Sequence, residues 1–387
     1  MGILSERNSV VGSSIASHPA TRTNNEIEYA ILHNFPPPGL EQAWRVGLSR
    51  VDFPAHYDSP DFFREPYWSG KSPFAILALR QGAVVGGLTG LHEGNEVVSG
   101  LPSRPQIFVD PSADSQIVLD CLARGLLAEA GTAELATVYC WSWTPLVFPQ
   151  RYGFLYREME GNVVIELGDG PKALFSALDR KRRANIRLAN RNGLSLRQAA
   201  TPEDLEEFYR VYLSWRQTKR KKIEGEPIDR AVFEYRMQHP EFFRIFLACL
   251  GGKIVACINL RFCPGGLVEY ANNSSLERFL YLRPNDFLVW SAMEWACQQG
   301  FRRFSLGGSH QFLREFGGRI VPVWRYRVDR TLLRRHDLRD AGVNLGRAIL
   351  RKVSRSARKT LGGSFRPKVA ASWRPFHHDP WLLVKNS

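Results

Sequence analysis

The run VEYANNSS, residues 268–275, places a carboxylate, a phenol and two amides within six positions of an extended pattern. A period of two sets Val268, Tyr270 and Asn272 on one face of a strand, and Glu269 with Ala271 on the other. These types suit transfer of an acyl group to an amine. Glu269 can accept the ammonium proton, and Tyr270 or Asn272 can donate hydrogen bonds to the tetrahedral oxyanion. A core tyrosine with its hydroxyl at the rim and a solvent-exposed glutamate satisfy the same pattern.

A second chemistry-bearing stretch is DRKRRANIRLANRNG, residues 179–193, with six basic residues in fifteen. The spacing predicts one helix over 171–192, with Pro171 near its start and Gly193 past its end. Leu174, Leu178, Ile186 and Ala189 form its apolar stripe, and Arg180, Arg183, Arg187 and Arg191 its solvated side. Arg182 and Asn185 point along the stripe, where an unpaired charge or amide costs several kcal/mol. They border either a polar cleft or a buried ion pair, and the cleft reading makes them substrate-binding residues.

The segment YLRPNDFLVW (281–290) predicts a helix opened by Pro284, with Asn285 and Asp286 as caps. Free N–H groups there, with Arg283, can hold a phosphate, so Arg283 and Asn285 are candidates for binding a phosphorylated cofactor. GGSHQ (307–311) puts Ser309 and His310 at a strand end facing an acceptor, or in a merely exposed loop. WRQTKRKKIEGEP (215–227) leaves a helix with five basic residues.

The elements that must position these residues occur twice. FAILALRQGAVVGGL (74–88) and RIFLACLGGKIVACIN (244–259) both read as strand, glycine turn, strand. Amphipathic helices follow, QIVLDCLARGLLAEAG (116–131) and DFLVWSAMEWACQQG (286–300), each ending in glycine. Each precedes a β-rich run and an aromatic-glycine turn, QRYGF (150–154) and REFGG (314–318). Four elements in one order at nearly one offset indicate an internal duplication.

The fold class expected is α/β (α+β), two tandem subdomains with mixed central sheets flanked by helices. The boundaries read as a disordered segment 1–26, a first subdomain 27–160, a second and catalytic subdomain 161–330, and a basic tail 331–387.

The chain has 387 residues and a formal charge of +14. Eleven Lys or Arg against two Asp lie between Arg334 and Lys368, which brings phosphates and anionic head groups forward as partners. No eighteen-residue stretch lacks a charge, so a spanning helix is excluded. The first 25 residues lack a secretory apolar run, and a cytoplasmic protein is expected. Six scattered cysteines read as buried thiols, and no metal is expected. In GRAILRKVSRSARKTLGG (346–363) a basic, weakly amphipathic helix can lie on an anionic leaflet, or be a solvated arm.

On residues 181–197, 268–309 and 312–318, the chain resembles a tandem member of the GNAT acyltransferase superfamily. The resemblance spans roughly 70–330 and points to the FemAB-like and CelD-like branches, known from peptidoglycan bridge formation and exopolysaccharide biosynthesis. It implies an N-acyltransferase acting on an amino group of a cell-envelope saccharide or peptide, with acyl-CoA as donor. An aminoacyl-tRNA donor in peptidoglycan bridge formation is the alternative. Where many GNAT members carry the Q/R-x-x-G-x-G/A pyrophosphate loop, this chain reads DPSADS (110–115) and YLRPNDF (281–287). Arg314 stands beside the place where FemAB-like members carry a lysine, and is a further substrate-binding candidate. The resemblance also sets the helix around Arg182 beside the acceptor site, and the 215–227 connection beside the cleft. A reading of another class remains: a non-catalytic module that binds membrane or nucleic acid through its basic tail. In the enzymatic reading that tail, 334–368, holds the protein at the inner membrane face.

Overall fold

The computed structural model describes residues 26–143, 146–219, 226–343 and 346. In the first half, β1 (Glu28–Leu32) and α1 (Pro38–Ser49) precede three short 3-10 turns over residues 56–68. Then come β2 (Ser72–Arg80), β3 (Ala83–Glu93), β4 (Glu96–Ser99), β5 (Ile107–Val109), α2 (Ser115–Ala130), β6 (Leu135–Trp141) and β7 (Leu155–Glu166). The second half holds α3 (Gly170–Ala177), α4 (Arg180–Arg191), β8 (Leu194–Gln198), α5 (Pro202–Lys219), α6 (Arg230–Gln238), β9 (Phe243–Leu250) and β10 (Lys253–Phe262). It ends with β11 (Leu267–Ser275), α7 (Pro284–Gln298), β12 (Arg303–Ser305), α8 (Gln311–Arg314) and β13 (Arg319–Asp329).

The duplication is visible element by element. β2–β3 and β9–β10 are antiparallel hairpins turning at Gly82 and at Gly251-Gly252. α2 and α7 follow them, and both aromatic-glycine turns place a glycine in the left-handed region, Gly153 (φ 83°) and Gly317 (φ 84°). In each half a parallel pair, β4·β6 and β11·β12, flanks the helix connection.

The halves are not two separate sheets. All strands but β5 form one path, β1-β2-β3-β4-β6-β13-β7-β12-β11-β10-β9-β8, and β5 pairs with β3. Each half's last strand closes the other half: β13 lies antiparallel to β6, β7 lies antiparallel to β12, and the two pair at the seam. The expected boundary between residues 160 and 161 therefore falls inside β7. A bulge sits there, with Gly161 at φ 81° because a Cβ would lie 2.0 Å from the Val321 carbonyl oxygen.

Separate apolar layers cover the two faces of the second half. α3, α4 and α7 pack through Leu174, Ile186, Ala189, Leu288 and Met293 onto Ile258, Leu260, Val268 and Phe304. α5 and α6 cover the opposite face through Phe208, Val211 and Phe233 against Leu247 and Cys257. The 56–68 segment of the first half joins that second face, where Glu65 meets Arg236 of α6.

Three sequence readings are corrected. The single helix over 171–192 is two helices. Leu178 turns extended (ψ 150°), and the Asp179 side chain caps α4 by accepting from the Lys181 N–H at 2.7 Å. Neither Asn285 nor Asp286 caps α7, whose N-cap is Arg283 in the left-handed region. The tail does not begin at 331. Asp337 and Asp340 bind Arg327 and Arg325, and Glu134 binds Arg335 and His336, so the chain is fastened to the body as far as Asp340. The remaining tail reading, 344–368, lies outside the described residues apart from Gly346, as does the disordered segment up to residue 25. Among the described residues no helix is long and apolar enough to cross a membrane.

Candidate active site

The parallel pair β11·β12 is short. Its ladder runs Leu267↔Arg303, Val268↔Phe304 and Glu269↔Ser305, and stops. Beyond it β12's chain stays with β7: Leu306 N–H donates to Val163 O (2.9 Å) and Val163 N–H donates to Gly308 O (2.8 Å). β11 meanwhile continues to Ser275 along β10. The sheet therefore parts after Glu269 and Ser305, at the carboxyl ends of a parallel pair, where ligands of open α/β sheets bind.

A bulge shapes the β11 side of this opening. Asn259 pairs with Asn272 and Leu260 with Tyr270, which leaves Ala271 outside the ladder. Directly opposed residues share a face, so the bulge reverses the alternation. Tyr270 faces the α7 layer, packed against that core. Asn272 joins Asn259, Arg261 and Glu269 on the α5–α6 face. The expected shared face of Tyr270 and Asn272 is thus corrected, and Asn272 shares its face with Glu269.

Glu269 is buried, not solvent-exposed, and accepts from Arg261 Nε at 3.0 Å. Arg261 keeps its charge against burial because Glu269 lies beside it, and its pKa is raised. The Nδ2 of Asn272 and both amide atoms of Asn259 have no hydrogen-bond partner among the described residues.

On the opposite face stands the start of α7. Pro284 is its first residue, no side chain caps it, and the Asn285 and Asp286 amides lack the usual cap acceptor. Arg283 is exposed, and the buried Oδ1 of Asn285 is without a partner. Free N–H groups at a helix start can hold an anion, though the Asp286 carboxylate stands in the same first turn.

Arg182 and Asn185 support that end from beneath. Arg182 Nη1 donates to Asp286 Oδ1 at 2.5 Å and its Nε to Glu315 Oε2 at 2.9 Å, while Asn185 Nδ2 donates to the same Asp286 oxygen at 3.1 Å. Burial opposes the charge of Arg182, but its bonds to Asp286 and Glu315 hold its pKa above the ordinary value. The expectation that Arg182 meets a ligand gives way to the buried ion pair. Both carboxylates bind the guanidinium, which fixes the first turn of α7 to α4 and to the turn after α8.

The loop after β12 carries the remaining candidates. Gly307 takes φ 67°, and a Cβ there would sit 3.2 Å from the Tyr270 carbonyl oxygen, so the two edges stay close at the fork. Ser309 is buried and its carbonyl accepts from Arg314, whose other arm reaches Glu160 at 2.7 Å. His310 is exposed and stacks on Phe312. Arg314 therefore braces the loop against β7. Among the described residues no group of three His, Cys, Asp or Glu is arranged to hold a metal.

Sequence reasoning missed the groups that crowd the Glu269 face. His56, Tyr57, Glu65, Arg104, Arg236, Asn259 and Arg261 are all buried. A signal existed in β10, where Asn259 and Arg261 interrupt an apolar run, and in the dense HYDSPDFFREPYW of residues 56–68.

Comparison with known proteins agrees with the fold. Residues 177–316 match the model of the acetyltransferase (GNAT) domain family. No curated protein matches the chain in sequence. Among solved structures, FemX superposes with a TM-score of 0.56 at 13% identity, covering 78% of this chain and 97% of that one. The C-terminal domain of a protein described as a lysylphosphatidylglycerol synthetase, from Agrobacterium fabrum, gives 0.55 at 14%, covering 79% and 96%. A tandem GNAT protein from the clavulanic acid biosynthesis pathway gives 0.50 at 15%, covering 79% and 99%. The fold is that of two GNAT units in tandem, and the second carries the acyltransferase-type domain.

Proposed function

We propose that the protein is an N-acyltransferase whose second half transfers an acyl group to an amino group on a cell-envelope saccharide or peptide. The observation that carries this reading is the parting of β11 and β12 after Glu269 and Ser305, beside the uncapped start of α7. That fork gives a donor and an acceptor opposite faces from which to meet.

On the α7 face, the amides of Asn285 and Asp286 and the Arg283 side chain would hold the pyrophosphate of acyl-CoA, with Arg182 and Asn185 keeping Asp286 turned inward. Tyr270 lies on this side and would donate to the acyl carbonyl or to the leaving sulfur. On the other face an amine would approach Glu269, which takes its proton as nitrogen attacks the carbonyl carbon. The C–S bond breaks as the sulfur takes a proton from the Tyr270 hydroxyl, which Glu269's acquired proton later restores through solvent, and Asn272 would donate to the developing oxyanion. Ser309 and His310 would border the acceptor, and Arg314 holds their loop.

An aminoacyl ester on tRNA is a second donor of the same chemistry. Residues 281–287 lack the paired glycines of a pyrophosphate loop, and the fold is shared with FemX and with a protein described as a lysylphosphatidylglycerol synthetase. Attachment of the 334–368 tail to an anionic inner leaflet would place the enzyme beside lipid-linked acceptors.

The test is thiol release from acetyl-CoA and longer acyl-CoAs in the presence of amino sugars and peptidoglycan precursors, with aminoacyl-tRNA as a parallel donor. Amine-dependent transfer that Glu269→Gln abolishes supports the reading. Transfer unaffected by Glu269→Gln overturns the assignment of the fork.

A further inference from the structure

The first half holds a cavity of about 590 Å³ that shares no residue with the fork. Three pieces of chain bound it: His33 and Asn34 after β1, residues of 63–69 around the last 3-10 turns, and Lys71 to Pro73 at the start of β2. Its volume falls in the range of about 300–1,000 Å³ that holds small-molecule ligands. The local sequence opens this hollow: Pro66 starts a 3-10 turn, and Gly70 at φ 74° reverses the chain into β2.

Two cations line this cavity, Arg64 and Lys71, and aromatic rings hold both. The Arg64 guanidinium carbon lies 3.8 Å from the centre of the Phe35 ring. The Lys71 ammonium lies 3.8 Å from the centre of Tyr67 and 5.2 Å from that of Trp68. A cation over a ring is fixed in place without being neutralised. The carboxylates nearby are committed elsewhere. Asp61 stands 3.6 Å from Arg64 but takes hydrogen bonds from Arg45 at 2.8 and 3.0 Å. Glu65 is buried in the wall and accepts from Arg236 and the Tyr57 hydroxyl. Glu93 acts on Lys71 through space without a hydrogen bond, and burial pulls the Lys71 pKa below its ordinary value. Trp68 also lines the cavity; it is 4% exposed, and its indole N–H has no acceptor among the described residues. Buried donors are nearly always satisfied.

We propose that this cavity binds a saccharide carrying a phosphate or carboxylate, with Arg64 and Lys71 on the anionic group and Asn34, Ser69 and Ser72 on its hydroxyls. The anion follows from two fixed cations and a spare N–H on residues of one cavity, since charged donors are the strong partners of phosphate and carboxylate oxygens. The saccharide follows from the rest of the lining. Asn34, Ser69 and Ser72 are exposed at the cavity and bring an amide and two hydroxyls that can both donate and accept. The phenyl and indole rings there are spent on packing, Trp68 against Tyr57 and Phe62, and Phe63 edge-on against Phe62. That favours a hydroxylated ligand over a planar base. The site is one for binding alone, not a second centre of transfer, and it does not rest on the transferase reading. Through Glu65 and Arg236 its wall reaches α6, so the ligand would sit where the two halves join.

The test uses the full chain and needs no turnover. Glucose 6-phosphate, glucuronate, glucose, inorganic phosphate and adenosine monophosphate are titrated at constant ionic strength, with binding read by calorimetry and thermal shift. Expected is saturable binding of glucose 6-phosphate or glucuronate, at least about tenfold tighter than that of glucose or inorganic phosphate. Lys71→Met and Arg64→Gln should each weaken it at least about tenfold. Neither change strands a buried carboxylate, because Lys71 hydrogen-bonds none and Asp61 keeps Arg45. Both variants therefore fold, and their thermal transitions confirm it.

No saturable binding of either sugar anion by the folded parent, or binding that both variants retain, overturns the site. Glucose bound as tightly as glucose 6-phosphate removes the role of the cations. Inorganic phosphate bound as tightly removes the saccharide, and tighter binding of adenosine monophosphate assigns the cavity to a nucleotide instead. Binding of one sugar anion without the other supports the site and tells phosphate from carboxylate.

Discussion

The two halves share a fold but differ at the start of the helix that follows each central hairpin. In the first half, α2 begins behind Asp114, whose side chain accepts from the N–H groups of Gln116 and Ile117. The corresponding amides of α7, those of Asn285 and Asp286, have no such cap. The ladders differ in which strand ends first, β4 in the first half and β12 in the second. β4·β6 is paired along the whole of β4, up to Ser99↔Val138, and a bridge between Leu101 and Arg104 folds the following chain back. β11·β12 stops at Glu269↔Ser305 with six residues of β11 still to come. The first copy caps its helix start and ends its ladder where β4 stops, while the second leaves its helix start without a side-chain cap and lets β11 run on past the end of β12. The 56–68 segment and Arg104 of the first half lie against the face of the second half that carries Glu269.

The largest expected effect breaks the support of the open copy. Arg182→Met strands Asp286 and Glu315 and should cost about 3–5 kcal/mol of stability, seen as a lowered urea midpoint at unchanged slope. Arg151→Met, which removes the surface partner of Asp120 on α2, should leave the midpoint essentially unchanged, since an exposed pair is screened by solvent.

Next comes the chemistry. Glu269→Gln should lower kcat/KM by roughly a hundred- to a thousandfold, with the circular dichroism spectrum retained. Glu96→Gln, on the closed pair where Thr137 donates to the carboxylate at 2.6 Å, should leave the rate within about twofold. Equal losses in both variants would mean that the halves are not functionally distinct.

The buried Asp58 sharpens the comparison through pH. Its pKa rises from the ordinary 3.8 to about 8 on folding because burial disfavours the carboxylate. Its contribution is therefore fully present below 3.8 and is lost as pH climbs towards 8. Asp58→Asn, which can still accept from the Ala55 N–H, should gain on the parent between pH 5 and 8, by up to about 1.4 kcal/mol per pH unit. Denaturant titrations at stepped pH read the difference, and a gap that does not change with pH would contradict the assignment.

The smallest effect tests closure itself. Asp114→Ala removes the cap of α2 and should cost about 1 kcal/mol while leaving transfer unaltered.

Much of this arrangement was legible in the sequence because it is local. Glycine turns, helix periods and the aromatic-glycine stops recur at one offset, and each is written in adjacent residues. The stripe through Leu178, Ile186 and Ala189 correctly placed Arg182 and Asn185 inside. The choice between ion pair and cleft was not legible, because Asp286 and Glu315 lie 104 and 133 residues away in the chain. Strand exchange escaped for a similar reason: β7 and β13 read as strands whichever neighbour they join. Asn272 was assigned to the wrong face because period two holds only without a bulge, and Ala271 carries no signal that it stands outside the ladder. The arginine cluster comes from three distant segments, none of which shows by itself that it faces the others.

One measurement bears most directly on the claim that the chain has a single working site, in its second half. Amide hydrogen exchange of the full protein is followed with and without saturating coenzyme A. The account predicts new protection at the start of α7, residues 285–288, and along 305–309, with the start of α2 at 115–118 unchanged. Protection at the start of α2 with none at α7 would contradict it.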